Sequence, residues 1–222
     1  CALGLTSVPA AAQIPDTFTN LQVLPKDIPR DSLIALMRSF TFATGLRCEG
    51  CHVLGENNSM RGARYHLDDR PNKIVARQML RMVQEINDQL LAGLPPADHA
   101  RLRVECKTCH RGLARPHLLR TELREVLDAG GVDSAVARYR ELRATALGRG
   151  AYDFGEWEMN ELARQLTAEA RVDAAIAMLV LNEEFHPASA SIPLELGRLY
   201  ERTGDRQAAV AAYRRVLERA PQ

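Results

Sequence analysis

The sequence predicts an all-α protein in two parts, and three observations carry that expectation. Apolar residues recur at i, i+3, i+4 and i+7 in stretch after stretch, the stripe of a helix rather than the alternation of a strand. Two of these stripes each run toward the same five-residue pattern, Cys-x-x-Cys-His, at residues 48–52 and 106–110. From about residue 118 onward cysteine is absent, and Ala, Leu, Arg and Glu dominate with helical spacing and a 34-residue period.

The totals agree with a soluble, globular chain. At 222 residues there is material for one large domain or two modest ones, and 46% hydrophobic with 26% charged residues is ordinary for such proteins. A net charge of +1 provides no global field toward nucleic acid, which removes that partner class. No apolar run reaches the length of about 18 residues that a membrane-crossing helix needs.

Residues 1–16, CALGLTSVPAAAQIPD, are small, apolar and broken by proline, with no helical stripe. We read them as a tether whose Cys1 is acylated, as at the start of a mature lipoprotein. The alternative is the tail of a cleaved signal peptide around Ala10-Ala11-Ala12. Both readings imply export to the periplasmic side of a bacterial membrane.

Residues 17–117 form a duplicated unit. The stripe Leu33, Leu36, Met37, Phe40 precedes Cys48-Glu49-Gly50-Cys51-His52. The longer stripe Val75, Met79, Met82, Val83, Ile86, Leu90 precedes Cys106-Lys107-Thr108-Cys109-His110, and Gly93-Leu94-Pro95-Pro96 is expected to end its helix.

Residues 118–222 repeat. Pro187 and Pro221 lie 34 apart, and Leu162/Leu196, Ala163/Gly197, Leu166/Tyr200, Ala175/Ala209 and Leu179/Tyr213 keep the same interval. This period, with small residues at a helix crossing, is similar to the tetratricopeptide repeat. Residues 121–147, with Gly130-Gly131 between two stripes, read as a degenerate helical hairpin leading into it. Hairpins of this kind cannot bury their faces singly, so a short solenoid is expected.

Four of the five cysteines fall in the two motifs. Two Cys-x-x-Cys pairs can make a four-thiolate zinc site, and a single pair can act as a redox dithiol. Neither reading explains why a histidine follows each pair at once. Chance predicts roughly 0.003 such five-residue matches for this composition, so two are a strong signal for c-type heme attachment. Cysteines three apart on a helical turn reach two vinyl groups on one porphyrin edge, and the next residue projects an imidazole toward the iron. Two heme c groups are thus expected, on Cys48, Cys51 and His52 and on Cys106, Cys109 and His110. The candidate sixth ligands are Met37 and Met79, each on the apolar face of the preceding helix. Met60 and Met82 compete for the role, and methionine in an apolar stripe also serves as plain packing.

Residues 20–116 resemble the cytochrome subunit of photosynthetic reaction centres and its shorter diheme relatives. The resemblance is carried by LQVLPKDIPRDSLIALMRSFTFATGLRCEGCHV, NKIVARQMLRMVQEIN and VECKTCHRG. It implies that each heme site is a ligand helix, a turn and the attachment motif, with Met37 and Met79 as axial ligands. It also implies that Arg111, followed by Gly112 in the family's Cys-His-Arg-Gly, pairs with a heme propionate. The reaction-centre subunit carries four hemes, whereas this chain has two motifs followed by helical repeats.

The function expected is electron transfer within a photosynthetic or respiratory complex, with the repeats docking the heme pair onto a membrane-bound redox partner. A diheme peroxidase or a heme-based sensor, each with one exchangeable axial position, is the rival reading. His66, His99, His117 and His186 are expected at the surface or as caps rather than as ligands. Arg61, Arg64 and Arg70 are secondary propionate candidates, and Trp157 is expected to pack within a repeat.

Overall fold

A computed structural model describes residues 14–95 and 102–220. Cys1, on which the lipid reading rests, and also His99 and Pro221 lie outside the described residues. The described chain is helical: α1 (Arg30–Thr44), α2 (Pro71–Glu85), α3 (Cys106–His110), α4 (Leu119–Ala146), α5 (Glu156–Ala168), α6 (Val172–Phe185), α7 (Ser191–Thr203) and α8 (Arg206–Arg219). Val53 and Arg64 form one isolated antiparallel bridge, and no strand occurs among the described residues. The chain divides into two compact units, Cys1–Pro116 and His117–Gln222.

In the first unit, α1 begins after Pro29 and carries Asp31 in its first turn, where a negative charge complements the exposed N–H groups. It stops at Gly45, whose left-handed conformation (φ +72°) is a glycine helix end. Helix α2 opens with Pro71, whose preset φ suits a first turn that needs no N–H donor. Its α-helical part ends at Glu85, and Ile86–Leu91 winds on as a π-helix. The winding stops at Leu91, just before the Gly93 at which the sequence places the helix end, and its last turns are π-helical. The wider turn contains Asn87, whose side chain donates to the Val104 carbonyl and accepts from the Val104 N–H, both at 2.8 Å. These two bonds fasten the segment that leads into the second motif.

Helix α3 is a single turn closed by a capping box between Glu105 and Thr108, and it packs against α1. Few of this unit's residues are buried: Leu33, Ala43 and Arg77 among those described. The apolar stripe of α1 is instead half-buried at Leu36, Met37 and Phe40.

The second unit has a conventional core. Helix α4 is broken at Gly131 (φ +79°, ψ −176°), a conformation open in practice only to glycine. Leu119, Leu123 and Leu127 before the break share one core with Ala135, Tyr139 and Leu142 after it. The short connections make α5–α6 and α7–α8 helical hairpins, and α6 packs on α7. Ala163 and Leu179 lie buried in the first hairpin. In the second, Gly197 lies so close to Tyr213 that an added Cβ would fall 2.5 Å from its ring. At that crossing a glycine on α7 is thus matched by an aromatic ring on α8. Trp157 departs from expectation. It is 66% exposed, because the buried face of α5 is Glu158, Met159, Leu162, Ala163 and Leu166, which leaves Trp157 on the opposite side.

Candidate heme sites

The first motif folds as a 3-10 turn at Cys48–Gly50 rather than as a full α-turn. The Cys51 and His52 N–H groups both donate to the Cys48 carbonyl, at 3.1 and 2.8 Å, which gathers both thiols and the imidazole on one turn. Asn72, in the first turn of α2, donates to the Gly50 carbonyl at 3.0 Å and ties the motif to that helix.

Beside the turn is a cavity of about 360 Å³ with a mainly apolar lining, within the range of about 300–1,000 Å³ usual for cofactor pockets. Helix α1 contributes Leu33, Met37 and Phe40, so the predicted stripe faces this cavity. Cys48, Cys51 and His52 line it together with Met37, as do Lys73 and Arg77 of α2. Met60 is also in the wall, but the Tyr65 hydroxyl donates to its sulfur at 3.6 Å. Met79 is half-buried and does not line this cavity.

The polar part of the wall is organised by Asp68. Its carboxylate accepts two hydrogen bonds of 2.8 Å from Arg77, and one of 2.9 Å from Asn20. Lys73 approaches it at 3.0 Å and also donates to the Tyr65 and Leu67 carbonyls. The bonds from Arg77 hold the Asp68 carboxyl well below the usual carboxylate range, against the opposing effect of burial, with Lys73 assisting. Sequence reasoning selected Arg61, Arg64 and Arg70 as nearby cations, and none of them lines the cavity. The available signal was the four-residue spacing of Lys73 and Arg77, which puts both on one face of α2.

His52 packs edge-on against Tyr65, with ring centroids 5.2 Å apart. Burial, and then the Lys73 cation, holds its imidazole below the ordinary histidine value. The Tyr65 backbone pulls weakly in the other direction but closes no hydrogen bond, and Nδ1 remains buried without a partner. A neutral imidazole, two thiols on one turn, an apolar cavity and a thioether in the same wall form a donor set that fits heme. Burial raises the Cys51 thiol, with Cys48 adding to the effect.

The second motif is the whole of α3. His110 Nδ1 lies 2.8 Å from the Leu113 carbonyl. A carbonyl only accepts, so Nδ1 carries the proton and Nε2 keeps a free lone pair, the arrangement of a metal-binding imidazole. Burial raises the Cys106 thiol, opposed by its own backbone hydrogen bond. Arg111 follows in a left-handed conformation (φ +48°) and is exposed.

Two further histidine rings among the described residues have protein partners: His117 pairs with Glu122 at 2.7 Å, and His186 with the Phe154 carbonyl at 3.1 Å. The His66 carbonyl accepts from Asn20, and His66 also lines the cavity. Among the described residues no cluster of three or more His, Cys, Asp or Glu side chains is placed to hold a metal ion. The two cysteine pairs therefore do not converge into the four-thiolate arrangement.

An all-helical unit with two Cys-x-x-Cys-His turns, one of them facing an apolar cavity, defines a c-type cytochrome, with covalently bound heme c as its cofactor. Residues 6–150 match the photosynthetic reaction centre cytochrome c subunit family, and the chain belongs to that family. Cytochrome c-554 of Chloroflexus aurantiacus is 33% identical over 98 residues, 44% of this chain and 21% of that protein. The photosynthetic reaction center cytochrome c subunit of Roseobacter denitrificans is 33% identical over 99 residues, 44% of this chain and 24% of its own length. The chain thus spans about a fifth to a quarter of these relatives.

Proposed function

We propose that the chain is a diheme electron-transfer protein, with one heme c on Cys48 and Cys51 and the other on Cys106 and Cys109. The observation that carries this reading is the convergence of Met37, Cys48, Cys51 and His52 on one cavity. Bound heme supplies a one-electron couple, and the chain's own residues set its position and surroundings. His52 and His110 would hold the heme irons through Nε2. For His110 the bond to Leu113 selects that nitrogen.

Met37 is the sixth ligand of the first site. Met60 is the weaker candidate because its sulfur is already engaged by Tyr65. Met79 is assigned to the second site, since it is half-buried on α2 while Met82, one turn on, is 43% exposed. A thioether opposite histidine favours the ferrous state and raises the potential. Lys73 and Arg77 line the first cavity with, among the described residues, only Asp68 paired to them, and Arg111 flanks the second site; these cations suit propionates. With His52 and Met37 holding one heme and His110 and Met79 the other, the bound groups would supply one-electron transfer rather than substrate turnover.

Membership of a reaction-centre cytochrome family supports action beside a membrane-bound photosynthetic or respiratory complex, on the periplasmic side. No helix among the described residues is long and apolar enough to cross a membrane. On this reading a lipid on Cys1 supplies the attachment. The helical hairpins of the second unit, stacked as tetratricopeptide-like repeats, dock the protein onto its redox partner.

The test is heme stoichiometry and ligation in the protein matured with its hemes. Two hemes per chain are expected, both low-spin when reduced and neither binding carbon monoxide. Met37→Ala should open only the first site to carbon monoxide and lower only that midpoint. A single heme, or carbon monoxide binding by the unaltered protein, would sink the reading and favour a peroxidase or sensor. Intact-mass measurement of the membrane-derived protein tests the lipid on Cys1.

A further inference from the structure

We propose that Gly45, at the end of the first site's ligand helix, is a positioning residue for His110 in the second site. This rests on the reading of His110 as an iron ligand. The last carbonyls of a helix have no intrahelical partner, and Ala43 O is one of these in α1. Its acceptor capacity is met from a distant part of the sequence: the Gly112 N–H donates to it at 2.7 Å. Gly112 lies two residues beyond His110, in a turn closed by the Leu113 N–H donating to the His110 carbonyl at 2.7 Å. His110 Nδ1 donates in return to the Leu113 carbonyl. The imidazole therefore takes its orientation from residues 110–113, and those residues are held against α1 through Gly112.

Gly45 allows that approach. Its φ of +72° suits glycine, but conformation is the lesser requirement. A Cβ built on Gly45 would lie 2.5 Å from the Gly112 carbonyl oxygen. The clashing atom is backbone and cannot rotate away, so any side chain must push the 110–113 turn off α1. The Gly112–Ala43 bond then lengthens or breaks, and the Leu113 carbonyl that orients His110 moves with it. Packing of α3 on α1 is the wider context of this contact. The helix that presents Met37 to one site thereby orients the histidine of the other.

The discriminating variant is Gly45→Asn in the full-length protein carrying its hemes. Asparagine tolerates the left-handed conformation better than other non-glycine residues, so its effect reports the added Cβ. Both hemes should remain attached, with the first site's midpoint and electron paramagnetic resonance signal unchanged. The second site's low-spin signal should change its g anisotropy, and the Gly112 amide should exchange at least about tenfold faster. A second-site signal identical to the parent's would overturn the proposal.

If the variant does not mature, the parent protein still decides the matter. Its Gly112 amide should be protected like the interior amides of α1, and an unprotected amide would overturn the proposal. A parent protein with no histidine-ligated heme on Cys109 would instead overturn the functional reading, and this inference with it.

Discussion

Replacing Asp68 with asparagine is the sharpest test of how the cavity beside the first motif is held together. The carboxylate accepts two 2.8 Å bonds from Arg77, which is only 9% exposed, and Lys73 lies 3.0 Å away. Removing one member of a buried ion pair costs about 3–5 kcal/mol, because the other charge is left uncompensated. Asp68 itself is 33% exposed, and solvent at that side lowers the figure to about 2–3 kcal/mol. In a unit of roughly 100 residues this lowers the melting temperature by roughly 10–20 °C. Heme absorbance during thermal unfolding reads the first unit, and a double-mutant cycle with Arg77→Gln isolates the pair. The pH dependence has a definite sign. Asp68 is held below its unfolded value of about 3.9, so its contribution is complete above that pH and fades as pH falls through the folded value. Asp68→Asn should therefore flatten the acid limb of the stability profile. Additive single variants, within about 0.5 kcal/mol, would refute the claim that this pair braces the cavity.

Three further outcomes are expected. Asn87→Ala removes both bonds to Val104 and should cost about 1–2 kcal/mol, with faster amide exchange at Val104 as the local readout. Gly197→Ala places a methyl group against the Tyr213 ring and should destabilise the second unit by about 1–3 kcal/mol, followed by far-ultraviolet circular dichroism. Leu162→Ala, at a fully buried core position, should cost about 2–5 kcal/mol in the same assay and leave the heme midpoints unchanged.

The chemistry of the protein is legible in short, local patterns. Cys-x-x-Cys-His is a contiguous signal, because one backbone turn suffices to gather its three donors. Met37 is legible for the same kind of reason, since the 3.6-residue period puts it on one face with Leu33 and Phe40. The repeat interval likewise announces the hairpins, as each crossing must be spaced alike. Trp157 shows where such reading weakens: its place on the first helix of a repeat suggested packing, but it lies one residue off the buried stripe of α5.

Long-range contacts are a different matter. Nothing in the sequence marks Asn87 as the partner of Val104, and the four-residue spacing that puts Lys73 and Arg77 on one face of α2 does not say that this face meets the cavity. Those choices depend on where the π-helical turn and the Asp68 loop bring the chain. The sequence by itself therefore determined the helices and the covalent heme c attachment chemistry, both properties of a few neighbouring residues. Only the tertiary structure decided that Met37 and His52 share a cavity, and that the turn after His110 meets the end of α1. Such meetings depend on how distant segments satisfy each other's backbone groups, and sequence spacing does not encode that.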